Sequence, residues 1–91
     1  MLKLDLSRES RRFLDGLPAK QFRQVLRKVL SLMADPAPVD SILIKGSPYR
    51  RADPAQSGGE YRVVYQVRED CLAVFVIGKR NDDEVYRSLK V

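Results

Sequence analysis

Between residues 59 and 86 the chain carries two runs that suit a sheet and little else. Residues 61–67 and 71–77 are filled with β-branched and aromatic side chains, and Arg68-Glu69-Asp70 separates them, a strand-loop-strand pattern. The second run is apolar throughout, as expected of a central strand covered on both faces. It ends at Gly78-Lys79-Arg80, so two cations emerge where the sheet stops, and Tyr86 follows on a predicted short helical segment. In the first run, alternation places Tyr61, Val63, Tyr65 and Val67 on one face and Arg62, Val64, Gln66 and Arg68 on the other. The apolar set is expected to meet helices, which turns Arg62 toward the uncovered face.

The residues ahead of these strands supply the helices. Leu2, Leu4 and Leu6 alternate with Lys3 and Asp5, the pattern of a strand with one buried face. Ser7 is a good N-cap with Glu9 in the first turn, and the helix it opens turns Phe13, Leu14 and Leu17 inward. Gly16 and Pro18 punctuate, and Pro18 opens the next helix. Over residues 19–34, Phe22, Val25, Leu26, Val29, Leu30 and Met33 form one apolar stripe, expected to pack on the sheet. Arg23, Arg27 and Lys28 lie off it as a solvated basic face. Asp35-Pro36-Ala37-Pro38 ends the helix.

Residues 42–46 read as a short extended piece, Ser47-Pro48 as a turn and residues 49–53 as a short strand. Residues 54–59, rich in small and turn-forming types, are expected to be an exposed loop joining that strand to residues 61–67 as a hairpin. The order β-α-α-β-β-β with a short terminal helix predicts one α+β domain over residues 1–91. Its parts would be an antiparallel-rich four-stranded sheet, an N-terminal helical hairpin on one face and a short C-terminal helix. The opposite, concave face would be free for a ligand.

Composition narrows the function. Ninety-one residues leave no room for a second core. No apolar run approaches the ~20 residues a membrane span needs, and the N-terminus lacks the apolar core of a signal peptide. A cytoplasmic protein with no membrane partner is expected. The single cysteine, Cys71, sits in an apolar run, which excludes a disulfide framework and favours a buried thiol over a nucleophile. There is no histidine, which removes the commonest general base and zinc ligand, so no metal or cofactor is expected. A net charge of +5 suggests a polyanionic partner, either nucleic acid or an acidic protein.

If Arg50, Lys79 or Arg80 faces the same way as Arg62, several cations converge on one groove suited to a phosphate backbone. RNA offers a reaction that needs no metal there. Its 2′-hydroxyl attacks the adjacent phosphorus once a base takes the proton and cations neutralise the growing charge. A tyrosine serves as that base if neighbouring cations lower its pKa. From spacing alone, Tyr86 reads first as a tyrosine capping the apolar edge of the sheet. The aromatic residues are few and mostly predicted to point inward, so no stacking platform is expected.

Four blocks resemble the RelE toxins of the RelE/ParE superfamily of toxin–antitoxin systems: Leu43-Ile44-Lys45-Gly46, Tyr49-Arg50, Tyr61-Arg62-Val63-Val64-Tyr65, and Gly78-Lys79-Arg80 through Glu84-Val85-Tyr86. The resemblance covers nearly the whole chain in element order and implies the RelE-like microbial RNase fold. It places the family's general-base tyrosine on Tyr86, its phosphate- and leaving-group-stabilising arginine on Arg80, and the phosphate-contacting arginine of the preceding strand on Arg62. It also places the first basic residue after the family's tyrosine on Arg50. Lys45, Arg51 and Lys79 join Arg50 as candidate RNA-binding residues. Where many RelE toxins carry a second basic residue this chain has Ala52, with Arg51 next door on the opposite strand face, and the 54–59 loop is longer than in the shortest relatives.

The resemblance implies a metal-independent, ribosome-dependent endoribonuclease of the bacterial or archaeal cytoplasm. It would cut mRNA in the ribosomal A site, against 16S ribosomal RNA, and block translation. A cognate acidic antitoxin would restrain it in a hetero-oligomer. Two alternatives remain: a ParE-like inhibitor of DNA gyrase, which shares the fold but has no need of the Arg62, Arg80 and Tyr86 set, and a non-catalytic RNA-binding module.

Overall fold

The computed structural model describes residues 1–52 and 61–79. The elements are β1 (Lys3–Leu6), α1 (Arg8–Asp15), α2 (Ala19–Ala34), β2 (Ile42–Leu43), β3 (Arg50–Ala52), β4 (Tyr61–Arg68) and β5 (Cys71–Lys79). They build one sheet in the order β1-β5-β4-β3-β2, parallel between β1 and β5 and antiparallel elsewhere. The class is α+β, as the element order predicts. Among the described residues the sheet has five strands rather than four, because Ile42 and Leu43 pair with Arg51 and Arg50 instead of remaining a loose extended piece. The expected C-terminal helix and the 54–59 loop lie outside the described residues.

β5 is apolar throughout because β1 and β4 flank it and both its faces carry buried side chains. Leu72, Val74 and Ile77 join Tyr61, Val63 and Tyr65 in the main core beneath the helices. Val76 packs instead with Val64 on the far face, the one turned away from α1 and α2. The switch comes from a bulge. Val64 pairs with Val76 and Tyr65 with Val74, so Phe75 is an extra residue and both Phe75 and Val76 face away from the helices.

Ser7 ties α1 to that bulge. Its Oγ accepts the Ser10 N–H at 3.0 Å as the helix N-cap and donates to the Phe75 carbonyl at 2.6 Å. The Ser7 N–H also donates to the Val74 carbonyl at 3.0 Å. β1 ends at Leu6, opposite Val74, so these bonds serve the carbonyls that a longer β1 would have used. Ser7→Ala removes these side-chain bonds, and with them the Ser7 Oγ–Ser10 Oγ contact at 2.9 Å, and is expected to lower unfolding stability by about 1–2 kcal/mol, with Ser7→Thr recovering most of it, measured by urea denaturation.

The stripe of α2 sits differently from its sequence pattern. Val25, Val29 and Leu32 are fully buried, whereas Leu30 is 48% exposed. At ~100° per residue the buried line is turned by roughly 60° from the centre of the apolar stripe. α1 covers one side of α2, closing Leu14 near Phe22 and Leu26, and β4 covers the other. Lys28, expected on a solvated basic face, is only 13% exposed along its side chain and holds Asp40 at 2.7 Å. That ammonium keeps the Asp40 carboxyl below the usual carboxylate range. Asp40 is itself largely in water, so the pair contributes little stability.

Tyr65 fixes the segment leaving α2. Its ring is fully buried and its hydroxyl donates to the Pro36 carbonyl at 2.6 Å. Tyr65→Phe keeps the ring and strands that carbonyl. A loss of about 1–2 kcal/mol is expected in the same denaturation assay, with the fold retained. The β4–β5 connection is tighter than the three-residue gap expected: Arg68 pairs with Cys71, leaving Glu69 and Asp70 as the loop. Glu69 takes a positive φ of 52°, as two-residue hairpin loops require of a residue in the turn.

Candidate nucleic-acid interface

The candidate residues separate by face. Arg62 alternates with Tyr61 and Val63, both in the core beneath the helices, so it belongs to the far face. Gly78 lies directly across from it on β5 and adds no side chain beside the guanidinium. On β3, Arg51 pairs with Val64, a far-face residue, and is thus a diagonal neighbour of Arg62. Diagonal positions in an antiparallel pair lie roughly 7–8 Å apart, within reach of two long side chains on one phosphodiester strand.

Arg50 does not join them. It pairs with Tyr65 on the helix side, and its Nε and Nη2 donate to Ser41 Oγ at 3.4 and 3.3 Å. Ala52, across from Val63, is buried in the main core on that same side. Because β3 alternates regularly, Arg51 faces away from the helices while Arg50 and Ala52 face toward them. Lys79 pairs with Tyr61 and therefore also stands on the helix-side face, exposed at the end of β5. Lys45 is exposed in the turn after β2, followed by Gly46 at φ 79°, a backbone state that suits glycine. Arg80 and Tyr86 lie outside the described residues.

The far face also holds two aromatic residues, where the sequence pattern expects the aromatic residues mostly to point inward. Tyr49 and Phe75 stack with ring centroids 4.9 Å apart and planes inclined by 33°. They pack with Ile44 against Val64 and Val76, so the middle of this face is apolar rather than bare. Beside them a cleft of about 130 Å³ is lined by Asp5, Tyr49, Gln66, Arg68 and Phe75, among others. The bulge that turns Phe75 outward cannot be read from β5 alone, but the position of Tyr49, one residue before Arg50, was open to alternation.

Cys71 is half-buried, with its thiol 3.5 Å from an Asp70 carboxylate oxygen. Burial pushes the thiol up, and the Asp70 carboxylate pushes it further. Both oppose a thiolate nucleophile, in keeping with a structural thiol.

This architecture has solved counterparts. The isolated RelE toxin of E. coli superposes with a TM-score of 0.75 at 22% identity, covering 99% of this chain and 96% of that one. The chain has the RelE toxin fold. The archaeal RelE of Pyrococcus horikoshii, solved in complex with RelB, gives a TM-score of 0.72 at 23% identity over 88% of this chain and 96% of its own. The Mycobacterium tuberculosis toxin–antitoxin complex RelBE2 gives 0.69 at 17% identity over 87% of this chain and 98% of that one. No family model and no curated protein matches the sequence. No helix among the described residues is long and apolar enough to cross a membrane.

Proposed function

We propose that the chain is the toxin of a type II toxin–antitoxin pair, a metal-independent endoribonuclease that cuts mRNA in the ribosomal A site. The observation that carries this reading is the pairing of a RelE fold with Arg62 and Arg51 side by side on the far face of the sheet. Two guanidinium groups there suit the phosphates on either side of a scissile bond and stay charged at any working pH. The RNA 2′-hydroxyl attacks phosphorus, the 5′-oxygen leaves, and the products carry a cyclic or 3′-phosphate and a 5′-hydroxyl. Tyr86 is assigned as the base that takes the 2′-proton. Arg80 stabilises the departing oxygen by its charge, since a guanidinium with a pKa above ~12 is a poor proton donor. The ribosome holds the strand in line, which offsets a weak acid–base set.

The net charge of +5 suits an acidic antitoxin laid over this surface in a hetero-oligomer, as toxin and RelB are found together in the P. horikoshii complex. The test incubates the protein with programmed ribosomes, with naked mRNA and with DNA gyrase, then repeats with Tyr86→Phe and Arg80→Ala. Cleavage on ribosomes that both substitutions abolish is the expected result. Gyrase inhibition indifferent to Tyr86→Phe would instead assign the chain a ParE-like action.

A further inference from the structure

The cleft beside the Tyr49–Phe75 stack is not explained by phosphate binding. It lies on the same face as Arg62 but farther along β4, where Gln66 and Arg68 project into it. Gln66 lies four positions along β4 from Arg62, ~13 Å at the rise of a strand, too far for Gln66 to contact a phosphate held at Arg62. We infer that this cleft seats one base of the RNA, belonging to a nucleotide beside the bond that is cut, and so biases where the cut falls. The inference rests on the nuclease reading.

Three features fit a nucleobase better than another phosphate. Tyr49 and Phe75, stacked on one another, border the cleft with apolar rings, and bases splayed from single strands stack on aromatic side chains. Asp5 lines the opposite flank, and its carboxylate repels a phosphate while accepting from base N–H groups. Gln66 and Arg68 form an oriented pair between them. The Arg68 Nε–H donates to Gln66 Oε1 at 2.9 Å, which fixes the amide oxygen on the arginine and turns its NH₂ group away. Donors from Gln66 and an acceptor from Asp5 thus border a stacking wall, the mix that reads a base edge. Sequence alone hides this arrangement, because the bulge at Phe75 brings the second ring to this face.

The test maps cut positions across a randomised mRNA on programmed ribosomes for the wild-type protein, Gln66→Ala and Tyr49→Leu. The wild-type protein is expected to show a base preference at one position flanking the cut. That preference falls about 5-fold or more in each variant, by loss of edge contacts in one and of stacking in the other. Gln66 is partly exposed, so Gln66→Ala stays folded and carries the test even where Tyr49→Leu does not. Cutting without any flanking preference, or with a preference that Gln66→Ala leaves intact, overturns the base subsite and leaves the nuclease reading standing. No cutting by the wild-type protein, on ribosomes or on naked mRNA, overturns both.

Discussion

Arg62→Ala is expected to slow single-turnover cleavage of mRNA on programmed ribosomes by about 10²–10³-fold, the usual effect of removing one well-placed stabiliser of transition-state charge. The role proposed for Arg62 rests on its strand position, which turns it away from the helices and places it opposite Gly78. Arg62→Lys should recover part of the rate, since a point charge survives while the two-pronged contact with phosphate is lost. Arg51→Ala should cost less than Arg62→Ala if it grips a neighbouring phosphate rather than the scissile one. Wild-type rates in Arg62→Ala would remove the phosphate role from this side chain.

Leu32→Ala is expected to lower unfolding stability by about 2–5 kcal/mol, while Leu30→Ala, two residues earlier on the same helix, changes it by less than about 1 kcal/mol. Leu32 is fully buried in the main core, so truncation leaves a cavity among close-packed neighbours. Leu30 is 48% exposed, and alanine's higher helix propensity offsets part of its loss. Urea midpoints at unchanged m-values measure both. Equal effects would mean that α2 sits on the sheet as its apolar stripe suggests, with Leu30 inward.

The elements themselves were legible because their signals are local. Ser7 before a helical pattern, Pro18 at the start of the second helix and Pro36 after its end act within a turn or two of the residues they control. The β-type runs at 61–67 and 71–77 announce strands by side-chain type and, in the first, by alternation. Arg62 was placed correctly on the far face because alternation from Tyr61 and Val63 needs no knowledge of a partner strand. The same logic, applied to β3, separates Arg50 from Arg51 only once pairing with β4 shows that Ala52 and Arg50 face the helices. Lys79 was harder still, since its face follows from its register opposite Tyr61 across the full length of the hairpin.

By itself, then, the sequence determined the α+β class, the helical hairpin, the hairpin of long strands and the outward placement of Arg62, all consequences of short-range periodicity and capping. Tertiary structure alone decided which leucine of α2 is buried, that Phe75 stacks on Tyr49 away from the helices, and that Arg51 rather than Arg50 stands beside Arg62. Those outcomes depend on strand register, on a one-residue bulge and on the rotation of a helix between two neighbours. Each is set by how surfaces distant in the chain fill space against one another.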